Sequence, residues 1–221
     1  MPLAADVTIE VNLAYHAKAS PLSLAPDLWW NDAHWTIGLT HSMASVDRFQ
    51  PGGSLCVRTD ELYCDSTYRG SGVDARYAFS LAGDTTVSPR ARLLLRDIEP
   101  VKPAITAGAL VEHTHGRFSF AADPYVQLGL ANRDQGNRAA LFVPLHVALA
   151  VTSRVSPTLD TGWNAELAVL GDGWHVPLAL GAEVRIDAHF TVGADVGFAA
   201  MLGPQNTPKQ RVLFVGVSWR E

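Results

Sequence analysis

Apolar residues alternate with other residues along two stretches in the middle of the chain, on either side of a polar break at residues 133–136. In the first stretch the apolar positions are Phe118, Phe120, Ala122, Pro124, Val126, Leu128 and Leu130. In the second they are Ala139, Leu141, Val143, Leu145, Val147, Leu149 and Val151. A period of two is typical of a β-strand, whose successive side chains point to opposite faces of the sheet. Most strands have about five or six residues, so the pattern predicts an unusually long hairpin.

Further segments along the chain show the same alternation, and together they predict an all-β protein. The expected strands cover residues 7–18, 22–30, 35–43, 73–82, 88–97, 104–114, 117–132, 137–153, 159–170, 174–187, 189–202 and 211–220. Most connections between them are short, and the long segment 45–72 is the main exception. We therefore expect one domain, residues 1–221, built from antiparallel strands.

In each strand, the alternating positions that carry the apolar residues form one face, which we call the apolar phase. This face contains no Asp, Glu, Lys or Arg. A surface in contact with lipid requires this absence, whereas the outward face of a soluble sandwich or lipocalin-like barrel carries charges. A tilted strand needs roughly nine to eleven residues to cross a bilayer, which these strands have. Tryptophans also stand towards strand ends, where the bilayer interface favours aromatic side chains. The expected girdle consists of Trp30, Trp35, Trp163, Trp174 and Trp219.

The closing segment Arg211–Arg220, with Leu213, Val215, Val217 and Trp219 in its apolar phase, resembles the last strand of bacterial outer-membrane β-barrels. The resemblance covers the whole chain at the level of architecture and selects no particular named family. It implies a transmembrane antiparallel up-and-down barrel in the outer membrane, with an even number of strands and periplasmic termini. One strand over residues 27–45 gives eleven strands, whereas a turn at residues 31–34 gives twelve. We therefore expect twelve strands, with segment 45–72 on the extracellular side.

Composition is compatible with this class and excludes others. No run of about 18 uncharged apolar residues is present, so a helical membrane span is excluded. The mean hydropathy of +0.08 suits a barrel in which half of each strand faces water. A net charge of −5 and the lack of a basic patch argue against a nucleic-acid partner. Residues 1–6 lack the features of a signal peptide, so we expect a mature form whose leader has been removed.

Cys56 and Cys64 are the two cysteines of the chain, and both lie in segment 45–72. Because the periplasm is oxidising, a disulfide between them is the expected pairing, and it would stabilise the segment by about 2 kcal/mol in the chain-entropy model. Two cysteines lack the further ligands of a closed zinc site. The nearby acidic residues suit a solvated loop as well as a calcium site. We therefore expect no metal and no cofactor.

Charged residues in the inward phase of the strands are the candidate functional residues. The basic ones are Arg76, Arg90, Arg92 and Arg96, and the acidic ones are Glu10, Glu112, Glu166, Glu183 and Asp195. Strands five and eleven of a twelve-stranded barrel lie roughly opposite each other. A basic wall facing an acidic wall across a water-filled constriction would set ion selectivity. Small inward residues such as Gly38, Gly162 and Gly181 favour an open lumen.

The function expected from this interior is porin-like diffusion of small hydrophilic solutes or ions, in contact with outer-membrane lipid and lipopolysaccharide. One alternative is that the charges pair between neighbouring strands, with Glu112 reaching the arginines, in a closed barrel that displays segment 45–72 as a scaffold or adhesion element. Another is a lipid-modifying enzyme using a Ser–His pair. His41 and Ser42 invite that reading, but adjacent strand residues point to opposite faces, and His113 stands at a strand end. We therefore expect no enzyme.

Overall fold

The computed structural model describes residues 6–17, 20–41, 54–56, 68–69, 71–81, 83–98, 100–206 and 211–221. The long strands are β1 (Asp6–Ala17), β2 (Ser20–Asn31), β3 (Trp35–Thr40), β4 (Ser71–Tyr77, continued by Phe79–Ser80), β5 (Thr85–Ile98), β6 (Val101–His115), β7 (Phe118–Ala122 and Tyr125–Gly129), β8 (Ala140–Leu149), β9 (Val155–Glu166), β10 (Trp174–Arg185), β11 (Phe190–Leu202) and β12 (Arg211–Arg220). Two short strands, Ser54–Cys56 and Tyr68–Arg69, lie between β3 and β4, and a 3₁₀ helix spans Leu167–Val169. Within these described ranges, no helix is long and apolar enough to span a membrane.

The strands form a closed antiparallel barrel in which each strand pairs with its neighbours in the chain. Closure comes from β1 and β12, where Ile9 lies opposite Trp219 and Leu13 opposite Val215. A closed ring leaves no unpaired strand edge, which is why barrels can cross a bilayer. The predicted fold, an all-β up-and-down barrel of twelve strands, is confirmed.

The turn between β2 and β3 confirms the predicted division at residues 31–34. Asp32 Oδ1 accepts hydrogen bonds from the backbone N–H groups of His34 (2.8 Å) and Trp35 (2.7 Å), so the side chain closes the turn. The β10–β11 turn repeats this geometry, because Asp187 Oδ1 accepts from the N–H groups of His189 (2.7 Å) and Phe190 (2.8 Å). Both turns have the sequence Asp-Ala-His-aromatic. They lie at the end of the barrel that holds the Asp6–Arg220 ion pair, which we call the terminal rim; the opposite end is the distal rim.

The strands turn apolar side chains outward and polar side chains inward. On β5, Arg90 and Arg92 are buried, whereas Leu93, the residue after Arg92, is 59% exposed. Leu180 on β10 and Val196 on β11 are likewise 61% and 58% exposed. A water-soluble protein has the opposite arrangement at its core. The exposed aliphatic belt is what a surface in contact with lipid requires.

Strand β7 departs from the predicted uninterrupted strand over residues 117–132. It breaks at Asp123 and Pro124, because proline has no N–H to donate to a neighbouring strand. The wall stays closed there, since Ala109 N donates to Pro124 O (3.1 Å) and Asp123 N donates to Pro144 O (3.1 Å). Strand β8 begins at Ala140 rather than 137, because the buried Asn137 side chain instead donates to Pro103 O of β6 and to Ala131 O of the β7–β8 loop.

The predicted disulfide lies partly outside the described residues. The backbone of Cys56 ends a short strand that pairs with β2, with Cys56 opposite Ser23. Cys64 and the acidic residues near it belong to the range 57–67, which the structure does not describe. The disulfide and the extracellular position of segment 45–72 therefore stay predictions.

Candidate functional site

The interior of the barrel holds a group of charged side chains from β4, β5 and β7, which we call the arginine cluster: Arg76, Arg90, Arg92, Asp74 and Asp123. Arg90 forms ion pairs with both carboxylates, and its Nε donates to Asp74 Oδ2 at 2.7 Å. Arg90 is 4% exposed and both carboxylates are fully buried. Charged groups at this depth are stable only when they are paired, and Arg90 is held by two carboxylates.

The other two arginines of the cluster lie against aromatic rings. Arg92 Nε donates to Thr106 Oγ1 (3.1 Å), and its guanidinium group lies 4.4 Å from the centre of the Tyr125 ring. The Arg76 guanidinium lies 4.4 Å from the Trp29 ring, and its Nε is 3.7 Å from Asp74 Oδ1. Cation–π contacts of this kind become stronger when water is excluded.

Strand register explains why this cluster forms. Arg90 lies opposite Arg76 of β4 and opposite Gly108 of β6. A side chain at Gly108 would collide with Pro124 O and Tyr125 Cβ. Glycine therefore allows β7 to approach β6 closely at Pro124 and Tyr125, next to Asp123, which pairs with Arg90.

A second group of polar side chains from β8, β9 and β11, which we call the carboxylate wall, consists of His146, Thr158, Asp160 and Asp195. His146 Nδ1 lies 2.8 Å from Asp160 Oδ1, and Thr158 Oγ1 donates to Asp195 Oδ1 at 2.9 Å. Asp160 is 1% exposed and Asp195 is 2% exposed. Asp160 Oδ2 has no hydrogen-bond partner within the described part of the chain.

Arg90 of the arginine cluster and Asp195 of the carboxylate wall lie on opposite sides of the interior at similar depth, whereas Asp123 and His146 lie on the adjacent strands β7 and β8. Arg90 on β5 and Asp195 on β11 are separated by half of the ring of strands, and each lies near the middle of its strand. Glu10 on β1 and the buried Asp27 on β2 also point inward near the middle of their strands. At this level the described carboxylates, those of Glu10, Asp27, Asp74, Asp123, Asp160 and Asp195, outnumber the arginines Arg76, Arg90 and Arg92.

The remaining predicted lining residues lie towards the two rims. At the distal rim, Arg96 Nη1 donates to Asn137 Oδ1 (3.1 Å) and Gly136 O (3.3 Å), and Arg138 Nη1 donates to Glu166 Oε1 (2.6 Å). Glu183 lies on β10, opposite Gly193, between the middle level of the barrel and the terminal rim. Glu112 lies near the terminal rim, opposite Thr86 and Ala121. In the alternative with paired charges, Glu112 was the partner considered for the arginines; in the structure, Asp74 and Asp123 pair with Arg90.

The sequence reading missed Asp74 and Asp123 as members of the site. The signal was present, because Asp74 precedes Arg76 by two residues and so shares its face of the strand. Asp123 likewise shares the inward phase of β7 with Tyr125 and Gln127. A comparison of inward residues on adjacent strands would have found both.

Two of the small inward residues do not create open space. The Trp29 indole occupies the space that a side chain at Gly38 would fill, and the Asp195 carboxylate does the same at Gly181. The expectation that these glycines open the lumen was therefore wrong, because each one accommodates a large or charged neighbour.

The structure places the five tryptophans of the expected girdle in two groups. Trp30, Trp35 and Trp219 lie near the terminal rim, and the first two are 41% and 45% exposed. Trp163 lies in the distal half of β9, two residues from Ala165, which pairs with Trp174. Trp163 therefore belongs with Trp174 and not with the terminal group.

The histidines considered for catalysis have other partners. His41 Nδ1 lies 2.5 Å from Pro26 O, and Ser42 is outside the described residues. His113 Nδ1 lies 2.8 Å from Thr85 Oγ1 near the terminal rim. Among the described residues, no group of three or more His, Cys, Asp or Glu side chains is arranged to hold a metal ion.

Comparisons with known proteins identify the fold. No family model matches the chain, and no curated protein matches it. Among solved structures, the NanC porin superimposes with a TM-score of 0.70 at 9% identity over 96% of this chain and 98% of its own. The KdgM porin in complex with disordered oligogalacturonate superimposes with a TM-score of 0.66, also at 9% identity and with the same coverage.

These likenesses show that the chain has the barrel fold of these porins. At this level of identity they establish the fold alone. The function has to be argued from the residues of this chain.

Proposed function

We propose that the protein is a narrow porin-like channel of the bacterial outer membrane, through which small hydrophilic solutes diffuse with a preference for cations. The observation that carries this proposal is the charge of the interior. Carboxylates outnumber arginines at the middle level, and Arg90 is already neutralised by Asp74 and Asp123. Rings of acidic side chains favour cations in pores.

Burial supports a narrow passage. Arg90, Asp74, Asp123, Asp160 and Asp195 are each less than 5% exposed, so water reaches little of their surface. Solutes of the size of hydrated ions or small metabolites fit such an interior better than long polymers do. The non-conducting alternative differs from this proposal in one measurable property, which is current.

Planar-bilayer recording of the refolded protein tests the proposal, and cysteines on the two faces of β8 provide a matched pair. Ala148→Cys places a thiol on the inward face, and Val147→Cys places one on the outward face, both with Cys56 and Cys64 changed to alanine. We expect discrete current steps that a charged thiol reagent reduces in Ala148→Cys and leaves unchanged in Val147→Cys. Folded, inserted protein without steps contradicts a channel and favours a closed barrel.

A further inference from the structure

A pocket near the distal rim is the basis of a further inference. It has a volume of about 160 Å³ and lies between β7, β8, β9 and β10. At roughly 30 Å³ per water molecule it holds about five waters, a volume suited to one small solute. The residues that define its chemistry are Gln127, Arg138, Phe142, Asn164, Glu166 and His175.

Two amide side chains of the pocket have oxygen atoms that lack a partner. Gln127 and Asn164 are 1% and 5% exposed, and neither Gln127 Oε1 nor Asn164 Oδ1 accepts a hydrogen bond within the described residues. Their nitrogen atoms are engaged, since Asn164 Nδ2 lies 3.2 Å from His175 Nε2 and Gln127 Nε2 lies 3.5 Å from Arg138 O. An unpartnered buried acceptor destabilises the folded state. A ligand that donates hydrogen bonds to both oxygens would remove that cost.

The cations of the pocket already have acceptors. Arg138 donates to Glu166 at 2.6 Å, and Arg96 donates to Gly136 O and Asn137 Oδ1. A carboxylate ligand would lie close to Glu166 and could not donate hydrogen bonds to the two amide oxygens. The pocket therefore favours a neutral ligand with hydroxyl donors.

One wall of the pocket is apolar. Phe142 lines the pocket, and its ring stacks on Tyr125 with ring centres 4.8 Å apart. An aromatic wall beside hydrogen-bonding amides suits a molecule that has both C–H faces and hydroxyl groups.

We propose that this pocket is a binding subsite for a neutral, polyhydroxylated solute of the size of a single sugar ring, with Gln127 and Asn164 accepting from its hydroxyl groups. This proposal rests on the proposed channel function, because the pocket lies at the distal mouth of the lumen. It also predicts discrimination against a sugar acid, in contrast to the polyanion named with the KdgM porin.

The test is saturation-transfer NMR on the full chain refolded in lauryldimethylamine oxide, a detergent without sugar, with glucose and glucuronate as probes. We expect a saturable glucose signal and a weaker glucuronate signal. Gln127→Leu and Asn164→Leu should each weaken glucose binding by at least tenfold. Gln135→Leu, which removes an exposed loop amide, should leave it unchanged.

Ala140→Leu, which fills the pocket and keeps both amides, provides an independent variant and should also reduce glucose binding. Heat-dependent gel migration of each variant checks that the barrel is folded. The absence of saturable glucose binding, equal binding in all variants, or tighter binding of glucuronate each overturns the proposal. If glucose binds but no current is seen in bilayers, the channel function fails while the subsite stands.

Discussion

The arginine cluster and the carboxylate wall use similar side chains in different ways. In the cluster, Arg90 is enclosed by Asp74 and Asp123, so positive and negative charge from β4, β5 and β7 are combined in one place. In the carboxylate wall, Asp160 and Asp195 are held by His146 and Thr158, a titratable ring and a neutral hydroxyl group. The difference shows that a row of arginines in a sequence does not by itself make an attractive surface for anions.

The largest expected effect comes from removing one carboxylate of the cluster. Asp123→Asn leaves the buried charge of Arg90 with one partner, and breaking a buried ion pair costs about 3–5 kcal/mol. Asp195→Asn keeps an oxygen that can accept from Thr158 and leaves every arginine of the cluster with its partners, so its cost should be smaller, about 1 kcal/mol. Urea unfolding in lipid vesicles measures both, and Asp134→Asn on the exposed distal loop is the control. Equal losses for Asp123→Asn and Asp195→Asn would contradict the distinction between the two regions.

A second comparison sets the lipid face of β8 against its lumen face. Leu145 is 39% exposed on the outward face, whereas Ala148 points inward. An arginine on the lipid face near the bilayer midplane costs about 2–4 kcal/mol. Leu145→Arg or Val143→Arg should therefore reduce the free energy of membrane folding by this amount, and Ala148→Arg or Ala140→Arg by much less. Similar losses at both sets of positions would disprove the assignment of faces.

Neutralising the carboxylate wall should change selectivity more than stability. The double variant Asp160→Asn, Asp195→Asn removes two negative charges from the lumen and leaves the arginine cluster intact. We expect its reversal potential in a salt gradient to move from the cation-selective side towards zero. Glu112→Gln, near the terminal rim, is the matched control and should give a smaller shift. An unchanged potential in the double variant would show that the wall does not set selectivity.

The turns of the terminal rim belong to neither region, and they should give the smallest effect. Hydrogen bonds from the backbone N–H groups of His34 and Trp35 lower the pKa of Asp32, and those of His189 and Phe190 lower the pKa of Asp187. A carboxyl group whose pKa is lower in the folded state stabilises the fold above its unfolded pKa, about 3.9. This stabilisation is lost as the pH falls below that value.

The double variant Asp32→Asn, Asp187→Asn tests these turns. Its unfolding midpoint, compared with that of the natural sequence between pH 7 and pH 3, should show a smaller loss of stability on acidification. Asp172→Asn, in the β9–β10 turn at the distal rim, serves as the control. Parallel acid profiles for the variant and the natural sequence would contradict a role of these carboxyl groups.

Most of the fold followed from the sequence because a barrel wall repeats one rule. Each strand alternates between lipid and lumen, so single positions such as Leu93 or Arg90 could be assigned without knowing their neighbours. The division at residues 31–34 followed from the even number of strands that such barrels have. The break of β7 at Pro124 was missed, since the alternation of side chains continues on both sides of it.

The site was less predictable, because pairing depends on register between strands. The periodicity placed Arg90 inward but did not show that it pairs with Asp123, two strands away. Likewise, it gave no sign that Trp29 covers Gly38 or that Asn137 enters the wall beside Gly129. These are contacts between residues far apart in the sequence, and strand alternation is silent about them.

The measurement that tests the central claim most directly is the reversal potential of the refolded protein in a planar bilayer between dilute and concentrated potassium chloride. In this account, Asp74 and Asp123 neutralise Arg90, and the remaining carboxylates set the field of the lumen. We therefore expect single-channel currents whose reversal potential has the sign of a cation-selective pore. Steps that reverse at the opposite sign would mean that the arginines govern the passage, and the account of the two regions would be wrong.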